Sequence, residues 1–182
     1  LAFSAATFAT GLVNAVLADH AAHALHAGPW AYGALMAALA GGLLAGQLLT
    51  GATVDRARPV TIGPMLVGMG LAFLVLAAAG TMATALLAMV ACGLADGASD
   101  VLFQSAVQGT TPDALQGRVF GVAQAGLRSG MVLSAVLVLA APGMAAMTAI
   151  GIAARTVVGG GALVVLLCDR RREDPAPAAA AS

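Results

Sequence analysis

Six apolar runs follow one another along the chain, and each has about the 20 residues that a helix needs to cross a bilayer. They cover about 1–19, 29–52, 60–79, 82–107, 118–140 and 144–168. An open sheet edge cannot be exposed to lipid, so these runs are predicted to be helices rather than strands. The expected fold is therefore an all-α membrane protein, a bundle of six transmembrane helices, followed by a disordered tail over 169–182.

The composition excludes several other classes of protein. Of the 182 residues, 60% are hydrophobic and only 9% are charged, whereas a soluble domain carries about 25% charged residues. The net charge is zero, so the chain lacks the basic face of a nucleic-acid binder. No residue pattern calls for a bound cofactor, and membrane lipid is the expected surrounding.

Arginines mark alternate connections between the runs. Arg56, Arg58, Arg118 and the cluster at 170–172 lie in every second connection or in the tail, while the other connections carry no Arg or Lys. The positive-inside rule makes these segments cytoplasmic, so both termini of a multi-pass protein of the cell membrane face the cytoplasm. The sequence opens on Leu1, without Met or a signal peptide, so we expect a further N-terminal part to be missing.

Glycines four residues apart are typical of close helix packing in lipid, where small residues let two backbones approach. Four such pairs occur, at 42/46, 93/97, 117/121 and 126/130.

Two acidic residues interrupt the fourth run. Asp96, Asp100 and Gln104 are spaced four apart, so they share one face of a helix, and Gln108 continues the series. Two arginines, Arg128 and Arg155, lie inside the fifth and sixth runs.

These charges are expected near the middle of the bilayer. Counted at 1.5 Å per residue from the cytoplasmic ends, Asp100 and Asp96 lie about 12 and 18 Å deep, and Arg128 and Arg155 about 15 and 21 Å. A charge at the centre of a helix costs about 2.5–3.5 kcal/mol to insert. Either the four form buried ion pairs between helices, or they line a polar cavity in which an aspartate could carry a proton. The length of the polar stripe favours the cavity.

Other polar residues have less specific interpretations. Asp19, His20, His23 and His26 could form a metal site, but at the outer end of the first helix solvated histidines are the simpler interpretation, and no metal is predicted. Asn14 either bonds a neighbouring helix or faces the cavity.

An intramembrane serine hydrolase is not expected. Ser129 and Ser134 lie inside the fifth run, whereas the three histidines all lie between 20 and 26, near the outer surface. A serine nucleophile would have no base at its depth. The protein is therefore predicted not to be an enzyme.

Three segments together resemble one family of transporters. GATVDRAR at 51–58 resembles the head of a loop signature of the major facilitator superfamily. QGTTPDALQGRVF at 108–120 is similar to a connection in the branch that holds enterobactin exporters and macrolide-efflux-type proteins, and GPWAYG at 28–33 resembles the start of helix eight there. The resemblance covers about 1–170 and identifies the C-terminal six-helix half of such a transporter.

The resemblance implies a mechanism and a set of site residues. Two six-helix halves would rock about a central site, with coupling residues Asp96, Asp100, Gln104, Arg128 and Arg155. Gating roles would fall to five loop residues, which are Gly51, Asp55, Arg56, Gly117 and Arg118.

The family also implies proton-coupled efflux of small amphipathic molecules, of drug or siderophore type, with the proton gradient as the energy source. The expected partner is the missing N-terminal half. Two alternatives stay open: a half-size transporter that functions as a dimer, and a membrane scaffold that transports nothing.

Overall fold

The computed structural model describes residues 2–23, 25, 28, 30–52, 62–110, 112–140 and 146–173. These residues form six α-helices and no strand, as the apolar runs predicted. The helices are α1 (Ala2–His23), α2 (Trp30–Gly51), α3 (Ile62–Ala77), α4 (Met82–Thr110), α5 (Asp113–Ala140) and α6 (Ala146–Glu173).

Four helices, α1, α4, α5 and α6, extend beyond the apolar runs that predicted them, and α6 continues to Glu173, past the predicted start of the tail at 169. α5 begins at Asp113 rather than near Arg118, directly after Pro112, which cannot continue a helix but is well suited to precede one. α1 continues through His20 to His23. Hydropathy marks the part of a helix that lipid can accept, and backbone hydrogen bonding continues past it.

Four helices are long and apolar enough, within the described residues, to cross a membrane: Trp30–Gly51, Met82–Gly109, Leu115–Ala140 and Thr148–Val165. α3 is also apolar but has only 16 residues, Ile62–Ala77. The chain is therefore an all-helical, multi-pass membrane protein.

Within the described residues α2 packs extensively along α4, and glycines on both helices make this contact possible. A Cβ built on Gly42 or Gly46 would meet the backbone at Val90 or Leu94, and one built on Gly93 or Gly97 would meet the backbone of α2. With hydrogen in place of a side chain, the two backbones lie in direct contact, as the 42/46 and 93/97 spacing predicted.

Two further helix pairs, α3 with α6 and α1 with α5, also approach each other closely at a glycine. On α3, a Cβ at Gly63 would lie 3.1 Å from the carbonyl oxygen of Gly161 on α6. On α1, a Cβ at Gly11 would overlap the hydroxyl of Ser134 on α5. By contrast, a Cβ at Gly117, Gly121 or Gly126 on α5 would meet nothing within 4 Å, so the predicted close packing at 117/121 is not formed within the described residues.

The remaining contacts arrange these pairs around a cleft. α3 and α6 contact α4 and α1 respectively, and the buried core lies there, around Phe73, Met89 and Ile150. Across the cleft, α2 scarcely touches α1, and α4 scarcely touches α5. The α2/α4 pair and the α1/α5 pair therefore stand apart and leave a space between them.

Candidate functional site

The acidic face of α4 opens into this cleft. Asp96 and Asp100 are half-buried and line a cavity of about 380 Å³ between α1, α2, α4 and α5. Their i, i+4 spacing places both carboxylates on one helix face, one turn apart, as predicted.

Asp100 is held by two amide groups. Nε2 of Gln104, one turn further along α4, donates a hydrogen bond of 2.9 Å to Oδ2 of Asp100. Nε2 of Gln47 on α2 donates a longer bond of 3.5 Å to the same oxygen. Both amides present donors to this oxygen, so Asp100 is fixed in orientation at the α2–α4 contact.

Asp96 differs from Asp100 in its surroundings. Among the described residues, no hydrogen bond and no ion pair reaches its carboxylate. Two leucines of α2, Leu39 and Leu43, line the same cavity and give it an apolar wall. Asp96 is therefore the carboxylate that remains open to whatever enters the cavity.

α1 forms the opposite side of the cleft and contributes three polar residues. Thr7, Thr10 and Asn14 line the cavity, spaced so that they fall on one helix face. The hydroxyl of Thr10 donates to the carbonyl of Ala6 at 3.1 Å. Oδ1 of Asn14 is buried without a hydrogen-bond donor among the described residues.

α5 completes the cavity with Gln124, Leu127, Arg128 and Met131. The side chain of Arg128 is exposed, and its contact within the described residues is with the sulfur of Met131, at 4.0 Å from Nη1. Ion pairs with the aspartates, one of the two alternatives that the sequence left open, are not formed there. Arg128 also lines a second, more open groove on α5 with Ser129 and Val132.

Arg155 does not join the others. It is exposed on α6, a helix that packs on α3 and α1, and it does not line the cavity. Three of the four charges placed near mid-membrane by helix counting thus gather at one cavity, and the fourth lies elsewhere. The depth counted along α6 could not predict which face of the helix Arg155 would occupy.

The model of the Major Facilitator Superfamily matches residues 1–182. The chain belongs to the major facilitator superfamily. No curated protein and no solved structure matches it.

Membership settles the general class of function. Proteins of the major facilitator superfamily are membrane transporters rather than enzymes, and the apolar helices agree with a transport protein. The cavity lies where four of these helices, α1, α2, α4 and α5, converge.

The residues expected to gate the transporter are only partly described. Asp55 and Arg56 lie outside the described residues. Gly51 is exposed at the end of α2, while Gly117 and Arg118 are exposed in the first turns of α5. None of these three lines the cavity, which agrees with a location at a helix end.

The histidine cluster at the end of α1 does not form a metal site in the described part of the chain. Nδ1 of His23 pairs with Oδ1 of Asp19 at 2.9 Å, with both side chains largely exposed. His20 is not solvated as expected: it is 1% exposed and lies against the backbone of Leu76, yet neither ring nitrogen reaches a partner with hydrogen-bond geometry. His26 lies outside the described residues.

Sequence reasoning missed several cavity residues. Gln47 is a lone amide in an apolar helix, and only its distance to Asp100 reveals its role. Thr7 and Thr10 share one face of α1 with Asn14, for which a place in the cavity was one of two expectations. Their spacing of 3–4 residues was a signal that could have found the two threonines. Gln124 lies one turn before Arg128 on α5 and was equally visible by spacing.

Proposed function

We propose that the protein is one half of a proton-coupled exporter of small amphipathic molecules, which works by alternating access in the cell membrane. The observation that carries the proposal is the cavity that brings Asp96, Asp100 and Arg128 together between four helices. Charged groups inside a membrane are expensive, and those that persist usually mark a path for a substrate or a proton.

The lining of the cavity suits an amphipathic substrate. Its polar groups lie on α4, α1 and α5, while Leu39, Leu43, Leu127 and Met131 supply apolar surface. Pockets that bind small organic molecules are mostly apolar with a few polar groups that set orientation. This mixture supports substrates with one polar and one apolar part, as in the branch of drug and siderophore exporters that the sequence resembles.

Proton coupling is assigned to the two aspartates. Asp100 is oriented by two amides, and Asp96 has no partner within the described residues. A carboxyl group that faces a cavity from a membrane helix can take up a proton from one side and release it to the other as access alternates. We assign the energy source to the proton gradient on this basis.

A second six-helix unit would close the cavity. α5 has only 6% of its apolar stretch buried, and α2 only 17%. Large apolar side chains stand outward on both, with Leu48 and Leu139 the most exposed. In the superfamily's alternating-access scheme two such units rock against each other, so we assign these faces to the second half and to lipid.

The proposal is tested by transport in proteoliposomes that carry the full transporter and an imposed pH gradient. We expect the gradient to drive export of amphipathic dyes, and we expect Asp100→Asn and Arg128→Gln to reduce it strongly. Gln108→Leu, on the exposed end of α4, serves as the matched control. Dye export that is unaffected by both substitutions and by the gradient would contradict the coupling assignment.

Proteoliposomes also distinguish the proposed function from the two alternatives, a half-size transporter and a scaffold. Flux from this chain alone, as a defined dimer, would support a half-size transporter in place of a half. An intact, folded transporter that moves none of the dyes under any gradient would support a scaffold role.

A further inference from the structure

Two acceptor groups of the cavity lack a donor among the described residues. They are the carboxylate of Asp96 on α4 and Oδ1 of Asn14 on α1. These two acceptors indicate what kind of ligand fits, because a buried acceptor without a donor costs about 1–3 kcal/mol.

The two amide groups beside the α4 wall donate to Asp100 rather than to Asp96. The amide nitrogens of Gln47 and Gln104 both point to Oδ2 of Asp100. Asp96, one turn away, receives no hydrogen bond from the described residues, although it lines the same cavity. The carboxylate of Asp96 therefore faces the cavity as an unmet acceptor with a negative charge.

The α1 wall adds two neutral acceptors. Oδ1 of Asn14 is buried and has no donor among the described residues. The hydroxyl of Thr10 donates its hydrogen bond to the carbonyl oxygen of Ala6, so on the cavity side it can act only as an acceptor. The α1 side of the cavity thus also presents oxygen atoms that can accept hydrogen bonds.

Positive charge lies at the edge of this arrangement. Arg128 is exposed on α5 and is shared between the cavity and the second groove, and no ion pair links it to Asp96 or Asp100 within the described residues. The formal charge of the lining residues is one negative, from two aspartates and one arginine. One arginine therefore does not neutralise both aspartates, and no cationic group of the described residues pairs with Asp96.

We propose that the cavity binds the protonated nitrogen of an amphipathic organic amine, with its N–H groups directed to the carboxylate of Asp96 and to Oδ1 of Asn14. The apolar part of the amine lies against Leu39, Leu43 and Met131. This inference rests on the proposed transport function and narrows its substrate class from amphipathic molecules in general to those that carry an ammonium group.

Three probes of one shape test the proposal. They are 4-phenylbutylammonium, its N,N,N-trimethyl derivative and the uncharged 4-phenylbutanol, titrated by calorimetry against the full transporter in lipid nanodiscs, with empty nanodiscs subtracted. We expect the ammonium to bind most tightly, the trimethyl form less tightly because it lacks N–H donors, and the alcohol most weakly.

The variants distinguish the contact at Asp96 from a general charge effect. Asp96→Asn is expected to weaken binding of the ammonium about tenfold or more, and Asn14→Leu about fivefold, with little change for the alcohol. Asp96→Glu is expected to restore most of the affinity. Asp19→Asn is the matched control, since Asp19 pairs with His23 away from the cavity.

Several results would overturn the proposal. Equal affinity for the ammonium and the alcohol would do so, and so would an unchanged ammonium affinity in Asp96→Asn. If Asp96→Asn also loses the alcohol, the cavity itself has been damaged, and failure of Asp96→Glu to recover the ammonium preference then counts against the proposal. A large loss of ammonium binding in Arg128→Gln, with none in Asp96→Asn, would show an anion site instead.

The two proposals can fail separately. Gradient-driven dye export without selective ammonium binding leaves the transport function standing and removes this inference. Selective, Asp96-dependent ammonium binding without export of any amphipath leaves the site standing and removes the transport function.

Discussion

The amide of Gln47 on α2 lies 3.5 Å from Oδ2 of Asp100 on α4, directly beside the place where Gly97 lets the two backbones touch. A Cβ at Gly97 would lie 3.1 Å from the backbone nitrogen of Gln47. Close helix packing and the orientation of a membrane-embedded carboxylate are therefore produced by the same contact. A substitution of Gln47 is therefore expected to alter the orientation of the Asp100 carboxylate, and a substitution of Asp100 is expected to alter the packing at Gln47.

The first prediction concerns this bond. A double-mutant cycle of Gln47→Leu and Asp100→Asn should show a favourable coupling free energy of about 0.5 kcal/mol, since interhelical hydrogen bonds in membranes average about 0.6 kcal/mol and this one is long. Unfolding in mixed micelles with increasing denaturing detergent measures it. Gln108→Leu with Asp100→Asn is the control pair, and a Gln47 cycle no larger than this control would show that the contact contributes nothing.

The second prediction concerns the α2–α4 backbone contact. Gly42→Ala should reduce the free energy of unfolding by about 1–3 kcal/mol, because its Cβ would overlap the carbonyl of Val90 and force the helices apart. The neighbouring Gly41→Ala is the matched control: its Cβ meets nothing within 4 Å, so helix propensity should make it neutral or slightly stabilising. Equal destabilisation by both substitutions would mean that backbone flexibility, not packing, is the reason for these glycines.

The third prediction concerns the buried histidine of α1. His20→Leu should keep or raise the free energy of unfolding, by up to about 1–3 kcal/mol, because it removes ring nitrogens that are buried without a hydrogen-bond partner. His23→Leu, at the exposed pair with Asp19, should change stability by less than about 1 kcal/mol. Thermal unfolding in detergent measures both. A clear loss of stability in His20→Leu would reveal a favourable interaction of the imidazole.

The fourth prediction compares two arginines at similar depth. Arg128→Gln should reduce gradient-driven dye export strongly, because Arg128 lines the cavity. Arg155→Gln should leave export within about twofold of the unsubstituted transporter, as expected for an exposed residue outside the cavity. Initial rates in proteoliposomes with matched protein content measure both. If Arg155→Gln is the more damaging change, the cavity lined by Asp96, Asp100 and Arg128 is not the coupling site.

Helix number, helix type and the face that carries Asp96 and Asp100 followed from the sequence. The reason is local: lipid accepts only helices with satisfied backbones, and a spacing of four residues places side chains on one face of whatever helix they occupy. The glycine pairs 42/46 and 93/97 also indicated close packing correctly, since only small residues allow backbone contact.

Other features depended on which helices become neighbours. The sequence of α2 does not indicate that Gln47 lies next to Asp100. The sequences of α5 and α6 do not indicate that Arg128 lines the cavity whereas Arg155 does not. Likewise, His20 is buried rather than solvated because α3 covers it at Leu76. Periodicity along one helix defines faces, but the partner of each face is chosen by contacts between residues far apart in the chain. The sequence alone therefore determined the six helices and their polar stripes, and only the tertiary packing decided which stripes meet to form a cavity.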